Sequence, residues 1–212
     1  MPVPIKNRLL RDLVDDTNDV NYVRNDTIFK EGSPVRHIFF LRKGLIKIVK
    51  VGNKEDFIVS LVTPNSFFGL SSSFASEKYM VSAYALDQCI VNFIEIEKFR
   101  KIIRNDGRFA EDFIKMGVEI EMEIISRIIA LNGKQLPGKL ADALLCFSTR
   151  IFNNDLFTWP LNRQEMSNYL GVSLKSLNKT LKDFDRDGLI EMQKSEIKII
   201  RKDILEKLSK TG

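Results

Sequence analysis

The stretch that decides the fold of this chain is residues 161–184, which read LNRQEMSNYLGVSLKSLNKTLKDF. Asn162 followed three residues later by Glu165 is the pattern of a capping box, with Asn in place of Ser or Thr, and predicts the start of a helix. Gly171 ends that helix, because glycine readily takes the positive φ of a tight turn between helices. Ser173 is placed to cap a second helix. The stretch therefore predicts a helix-turn-helix.

The second helix of this motif has two chemically different faces. Leu177, Leu181 and Phe184 share one face, and the opposite face carries polar and cationic residues at spacings of three and four, namely Lys175, Asn178, Lys179 and Lys182. Such a lysine face is often just a solvated surface. Here it follows a helix-turn, and the major groove of B-form DNA accepts one α-helix whose lysines meet phosphates or guanine. The pattern thus predicts a DNA-recognition helix near residues 173–184.

The residues around the motif predict a winged helix-turn-helix domain over 136–212. Residues 189–192 and 197–200 form two apolar-rich strands around the polar turn 193–196, which together make a wing. Residues 157–159 are a candidate third strand, and residues 203–207 a short closing helix.

The first half of the chain predicts a rolled antiparallel β domain over 1–105. The expected strands are 27–30, 38–41, 45–51, 57–62, 80–85 and 90–94. They are separated by the turn signals 31–34, 42–44, 52–53 and 63–66. Short strands at this spacing, followed by helices, make the predicted fold class α+β, with an N-terminal antiparallel β-roll.

Between these domains, residues 106–135 predict a long helix and a hinge, after a short helix from Glu97. One heptad stripe contains Ala110 and the candidate dimer-interface residues Phe113, Gly117, Ile120, Ile124, Arg127 and Leu131. A second apolar stripe contains Ile114, Val118, Ile125 and Ile128 or Ile129. One stripe can cover the β domain while the other meets a second copy; the alternative is a helix sandwiched within one chain. Asn132-Gly133 ends the helix, and residues 132–135 are the candidate hinge.

The composition allows a nucleic-acid partner and argues against an enzyme. The 212 residues carry a net charge of +5, which permits an acidic partner without requiring one. The chain has one histidine, and it has no Walker loop, GxGxxG motif or metal-ligand cluster. Cys89 and Cys146 lie far apart in apolar contexts and are expected to be buried free thiols. The first residues lack the apolar core of a signal peptide and no stretch is long enough to span a bilayer, so we expect a cytoplasmic protein without membrane contact.

In this order and at this length, the β domain, long helix and winged helix-turn-helix resemble the Crp/Fnr family of bacterial transcription regulators. Glu31-Gly32, Gly44, and Phe68-Gly69 ahead of Ser82-Ala83 look like that family's cyclic-nucleotide-binding-type β-roll. Residues 138–145 are similar to the first helix of its DNA-binding domain, and residues 162–165 to the entry of its helix-turn-helix. The resemblance implies a homodimer that binds an inverted-repeat operator in double-stranded DNA, with RNA polymerase as a possible further partner.

The resemblance also implies roles for individual residues. Arg163 and Ser176 would contact phosphates, and Ser173 and Lys182 belong to the same DNA-facing set. The base-reading end of the helix would hold Leu174, Lys175, Asn178 and Lys179. The best-known members carry Arg or Glu at the positions of Leu174 and Lys175, and Arg at that of Lys179. A different operator should follow, because Leu174 can make only apolar contacts, for instance with a thymine methyl.

The candidate effector pocket departs from the family pattern at its ligand residues. The pocket candidates are Phe68, Gly69, Leu70, Val81 and Ser82. Members that respond to cyclic AMP have Glu and Arg where this chain has Leu70 and Val81, so a phosphate would lack a cationic partner. Two cysteines cannot supply the four thiolates of a typical iron–sulfur cluster, and a lone His37 is a weak candidate for a haem ligand. We expect no cofactor, and an effector that is not cyclic AMP, or none.

A second function remains open from the sequence. The β domain could sense a small molecule while the winged helix contacts a protein in place of DNA. The lysine face from Lys175 to Lys182 distinguishes the two hypotheses, because reversing its charge should abolish DNA binding and reduce its salt dependence.

Overall fold

A computed structural model describes residues 13–15, 17–52 and 55–211. Asn53 of the expected turn at 52–53 and the first twelve residues of the chain lie outside this range. The chain divides into two compact units, with the boundary between Ile124 and Ile125. This boundary falls inside the long helix.

The N-terminal unit contains two four-stranded antiparallel sheets. Its strands are β1 (Asp19–Tyr22), β2 (Thr27–Phe29), β3 (His37–Lys43), β4 (Ile46–Lys50), β5 (Phe57–Val62), β6 (Ser66–Phe68), β7 (Ser82–Ala85) and β8 (Cys89–Glu95). One sheet has the order β1-β8-β3-β6, and the other β2-β7-β4-β5. The predicted antiparallel β domain is confirmed.

Three elements of this domain were not predicted: β1, β6 and a short helix α1 (Leu70–Ala75). The side chains of β1 are largely exposed, so the strand has no apolar alternation that a sequence pattern could reveal. It forms because it pairs with β8, with Asp19 opposite Asn92 and Tyr22 opposite Cys89. Such pairing depends on residues far away in the chain.

Adjacent phenylalanines of β3 and β6 divide the core into two clusters. Phe39 is paired with Phe68, and Phe40 with Phe67. Because successive side chains point to opposite faces of a strand, the first pair enters one cluster and the second pair the other. Phe29 and Tyr79 stack in the first cluster at 4.1 Å between ring centroids. The second cluster is completed from helices.

Two helices follow the β domain: α2 (Ile96–Asn105) and α3 (Gly107–Gly133). Both predicted helices are confirmed, within one residue of their expected starts. Phe109 and Met116 of α3 are buried in the second cluster, and Phe113 and Ile120 pack against it. A different side of α3 is apolar yet exposed, and it carries Ile114, Val118, Met122, Ile125, Ile128 and Ile129.

The C-terminal unit is a winged helix-turn-helix, as predicted. After α4 (Leu136–Cys146) and a π-helical turn (Phe147–Ile151) come β9 (Leu156–Thr158), α5 (Arg163–Leu170), α6 (Leu174–Arg186), β10 (Ile190–Gln193), β11 (Glu196–Ile199) and α7 (Lys202–Thr211). The sheet order is β10-β11-β9, so β9 is the expected third strand. Helix α7 is longer than the predicted 203–207, because it packs along α4: Leu205 is fully buried and the Ser209 hydroxyl donates to Asp142.

The two cysteines differ in their environment. Cys89 is buried as expected, whereas Cys146 is only half-buried. Burial, with the nearby Asp87 carboxylate, raises the pKa of the Cys89 thiol to about 11. Within the described residues, no helix is both long and apolar enough to cross a membrane.

Gly44, between β3 and β4, tests the packing of the β domain. Its φ is +94°, and a Cβ there would lie 2.6 Å from Asp87 Oδ1, Cys89 Sγ and the Gln88 carbonyl. We expect Gly44→Ala to lower the free energy of unfolding by roughly 2–5 kcal/mol, from backbone strain and overpacking together. The measurement is urea unfolding followed by circular dichroism.

Gly107→Ala is the matched control, because a Cβ at Gly107 meets no atom within 4 Å. Its free energy of unfolding should stay within about 1 kcal/mol of wild type. Equal stability of the two variants would contradict the proposed close packing at Gly44.

Candidate nucleic-acid interface

The first helix of the motif, α5, begins with a complete capping box. Asn162 Oδ1 accepts a hydrogen bond from the Glu165 amide at 2.8 Å, and Glu165 Oε2 accepts one from the Asn162 amide at 2.8 Å. Met166 and Leu170 are buried beneath the helix. The local sequence signals and the tertiary packing thus define the same helix start.

The turn between α5 and α6 is closed by glycine and serine. Gly171 adopts a left-handed conformation with φ 63°, and its amide donates to the Asn168 carbonyl. The Val172 amide donates to the Ser167 carbonyl at 3.0 Å, which completes the helix end. Ser173 Oγ then accepts from the Ser176 amide at 3.1 Å and caps α6.

Helix α6 buries one face and exposes the other. Leu177, Leu181 and Phe184 are buried. The exposed residues are Leu174, Lys175, Ser176, Asn178, Lys179 and Lys182. The three lysines occupy the first nine residues, whereas Asp183, Asp185 and Asp187 follow them, and Arg186 pairs with Asp183 and Asp187. The lysines of α6 are therefore confined to its first nine residues, and Lys175 lies in the first turn, where the helix dipole is also positive.

Arg163 lies at the start of α5 in a half-buried position. Its guanidinium stacks over the Trp159 ring at 4.8 Å, and Nη2 donates to the Met192 sulfur of the wing at 3.5 Å. Nη1 has no hydrogen-bond partner among the described residues. Burial lowers the pKa of Arg163, because desolvation disfavours its charged form. A bound anion would offset that desolvation.

The wing carries an exposed lysine at its tip, Lys194, which was not among the predicted DNA-facing residues. Strands β10 and β11 pair from Ile190 opposite Ile199 to Gln193 opposite Glu196, and Lys194 and Ser195 form the exposed tip. Lys194 has a positive φ of 47°. The predicted polar turn 193–196 of the wing already contained this lysine, so its position at the tip could have been inferred from the sequence.

Two family models cover most of the described chain: the cyclic nucleotide-binding domain matches residues 19–106, and the Crp-like helix-turn-helix domain matches residues 138–208. The chain belongs to the Crp/Fnr family of transcription regulators. It is accordingly a DNA-binding regulator with a winged helix-turn-helix.

Relatives of this Crp/Fnr chain include the transcriptional activator FnrA of Stutzerimonas stutzeri, 24% identical over 185 residues, which are 84% of this chain and 74% of FnrA. A CRP-like cAMP-activated global transcriptional regulator of Mycobacterium tuberculosis is 22% identical over 85% of this chain and 83% of its own length. The solved structure of FixK2 from Bradyrhizobium japonicum has the same fold, with a TM-score of 0.81 and 18% identity over 91% of this chain and 96% of FixK2.

The five pocket candidates of this Crp/Fnr chain are not all brought together. Phe68 is buried in the first aromatic cluster with Phe29 and Phe39, and Val81 packs against the same cluster. Leu70 packs against the second cluster instead. Gly69 has φ 78°, and a Cβ there would lie 3.1 Å from the Phe39 ring. Ser82 Oγ accepts a hydrogen bond from the Glu31 amide at 2.9 Å.

The six candidate dimer residues mostly face their own chain. Phe113 packs edge-on against Phe99 at 5.0 Å between ring centroids, and Ile120 contacts the same cluster. Arg127 contacts Tyr169 of α5. Ile124 and Leu131 are half-buried, and Gly117 is exposed. The stripe that the described residues leave uncovered is the second one, in which Ile114 is 64% and Ile129 66% exposed.

Proposed function

We propose that this Crp/Fnr regulator binds an inverted-repeat operator in double-stranded DNA as a homodimer, with helix α6 of each copy in the major groove. The observation that carries the proposal is the exposed, cationic N-terminal part of α6 on a fully capped helix-turn-helix. An α-helix with such a face fits the groove, and two copies about 34 Å apart would contact successive turns on one side of the duplex.

Each exposed residue has a proposed role that follows from its chemistry. Lys175, Lys179 and Lys182 bind phosphates or guanine acceptors, and Asn178 pairs with adenine. Leu174, 36% exposed at the first turn, contacts a thymine methyl. Phosphate contacts come from Ser173, Ser176 and Arg163. For Arg163 the support is its uncompensated Nη1 beside Trp159.

The experiment that tests this function is selection of bound fragments from genomic DNA of the source organism, using purified full-length protein at near-physiological salt. We expect enrichment of an inverted repeat with half-sites one helical turn apart. A Lys175→Gln, Lys179→Gln double variant should bind the enriched sequence less tightly and reduce the slope of log K against log salt by about one for each lost phosphate contact.

Lys101→Gln is the control, because Lys101 is exposed on α2 in the other unit and also carries one positive charge. It should bind like wild type. If no inverted repeat is enriched, the alternative applies, in which the winged helix contacts a protein. If the double variant keeps both wild-type affinity and the full salt slope, the proposed role of the two lysines is wrong.

The dimer contact is proposed to be the exposed stripe of α3, formed by Ile114, Val118, Met122, Ile125 and Ile129. These residues recur at spacings of four, four, three and four, so they share one face of the helix. This proposal is supported by the other stripe, whose residues Phe113 and Ile120 already pack against the second cluster of their own chain. A continuous exposed apolar stripe on a helix is typical of a partner surface.

Ile125→Glu tests this contact. A carboxylate placed in an apolar seam is desolvated without a partner, so we expect the variant to sediment as a monomer at concentrations where wild type is a dimer. Ser126→Glu places the same charge on the next, exposed residue outside the stripe and should remain dimeric. A dimeric Ile125→Glu would contradict the proposed seam.

We propose that residues 1–105 form a sensor domain, residues 106–135 a dimerisation helix and hinge, and residues 136–212 a DNA-binding domain. The effector, where there is one, is not cyclic AMP. Val81 and Leu70 offer no charge to a nucleotide, and the nearby Lys50 is already bonded to the Glu31 carboxylate and to the Met80 carbonyl. The rings of Phe29, Phe39, Phe68 and Tyr79 fill the first cluster.

Calorimetric titration with cyclic AMP checks this part of the proposal. We expect no saturable binding up to about 1 mM, because a phosphate without a cationic partner loses its charge-assisted hydrogen bonds. Operator affinity should be the same with and without the nucleotide. Saturation at micromolar concentration would show that Lys50 or backbone donors replace the missing arginine.

Three further aspects follow from the family assignment. We propose that the protein acts in the cytoplasm, that it has no enzymatic activity of its own, and that RNA polymerase is a further partner on promoter DNA. Support for the first two lies in the family of DNA-binding regulators and in the sequence's lack of a catalytic constellation. The second candidate function remains a small-molecule sensor whose winged helix contacts a protein.

A further inference from the structure

Arg127, near the end of α3, makes two contacts with one residue of the helix-turn-helix. Its Nη2 donates to the Tyr169 carbonyl at 2.7 Å, and its guanidinium lies over the Tyr169 ring at 3.8 Å. Tyr169 itself is buried, and its ring lies 6.1 Å from that of Phe147. The contact therefore reaches the core of the DNA-binding unit.

The Tyr169 carbonyl belongs to the last turn of α5. The helix ends at Leu170, and the chain turns at Gly171, so this carbonyl has no amide four residues on within the same helix. A cation at a helix C-terminus is favourable because it bonds the last carbonyls and opposes the negative end of the helix dipole. Arg127 thus caps α5 from a distant helix, two residues before the turn that leads into α6.

Placing the charged Arg127 side chain here carries a desolvation cost. Arg127 interrupts a largely apolar stripe, and burial lowers its pKa. Ile125, Ile128 and Ile129, all exposed, surround it along the chain in the same unit. One helical segment therefore carries both an apolar face that no described residue covers and a cation bonded to the helix-turn-helix.

We propose that Arg127 is a positioning residue: it fixes α5 to the C-terminal end of α3 and thereby sets the spacing and orientation of the two recognition helices in the dimer. This inference rests on the proposed function. Arg127 does not contact DNA in this proposal, so it contributes to binding of a full operator and not to binding of one half-site.

The test compares Arg127→Met with Arg108→Met in the full chain. Both variants remove one positive charge from α3, and Arg108 is exposed. Three duplexes are used: the enriched operator, a single half-site, and the operator with two base pairs inserted at its centre. We expect Arg127→Met to bind the operator about tenfold more weakly and to lose preference for the native spacing, with half-site affinity unchanged. Arg108→Met should behave as wild type.

Arg127→Lys keeps the charge but not the planar guanidinium, so it should recover part of the spacing preference. It also provides a second variant should Arg127→Met fold poorly. Full spacing preference in Arg127→Met, or an equal loss on half-site and operator, would overturn the proposal.

A measurement without DNA separates this inference from the proposed function. Hydrogen exchange of the Gly171 and Val172 amides should accelerate by about tenfold or more in Arg127→Met, whereas the amides of Leu140 to Leu144 in α4 should keep their wild-type rates. Unchanged exchange at the turn would overturn the role of Arg127 even if the protein binds no operator.

Discussion

One helix, α3, presents different sides to the β domain, to the helix-turn-helix and to solvent. Near its start, Phe109, Phe113 and Met116 complete the second core cluster of the β domain. Near its end, Arg127 bonds the helix-turn-helix. The remaining apolar residues are exposed, because no described part of the chain covers them. The contacts of α3 with the β domain lie in one compact unit and its bond to the helix-turn-helix lies in the other, so both units depend on residues of the same helix.

The helix-turn-helix was predictable almost residue by residue because its signals are local. Asn162, Glu165, Gly171 and Ser173 each act within three or four residues of themselves, through a cap or a positive φ. The inner face of α6 followed from helical periodicity alone. Strand β1 was missed for the opposite reason: its stability comes from β8, some seventy residues later, and leaves no local pattern.

Periodicity found both stripes of α3 but could not decide which one its own chain covers. The first stripe is covered because Phe113 contacts the rings of Phe99 and Phe74, which belong to other elements of the chain. The position of Arg127 in the first stripe is explained by Tyr169, because the guanidinium bonds the Tyr169 carbonyl at the end of α5 and lies over its ring. The β-roll shows the same limit, since Phe68 and Leu70 are near neighbours in sequence yet pack in different clusters.

The turn at Gly171 brings two helix ends of opposite polarity together. The C-terminus of α5 carries negative partial charge, and the N-terminus of α6 carries positive partial charge, and both effects fade within one turn. Left alone, the carbonyl end of α5 would weaken the attraction of the adjoining surface for phosphates. Arg127 opposes that charge from the interior side, while Ser173 satisfies an amide of α6 without adding a negative charge. In the DNA complex proposed above, the positive end of α6 and Lys175 would face phosphates while a carbonyl at the end of α5 is already bonded to the Arg127 cation.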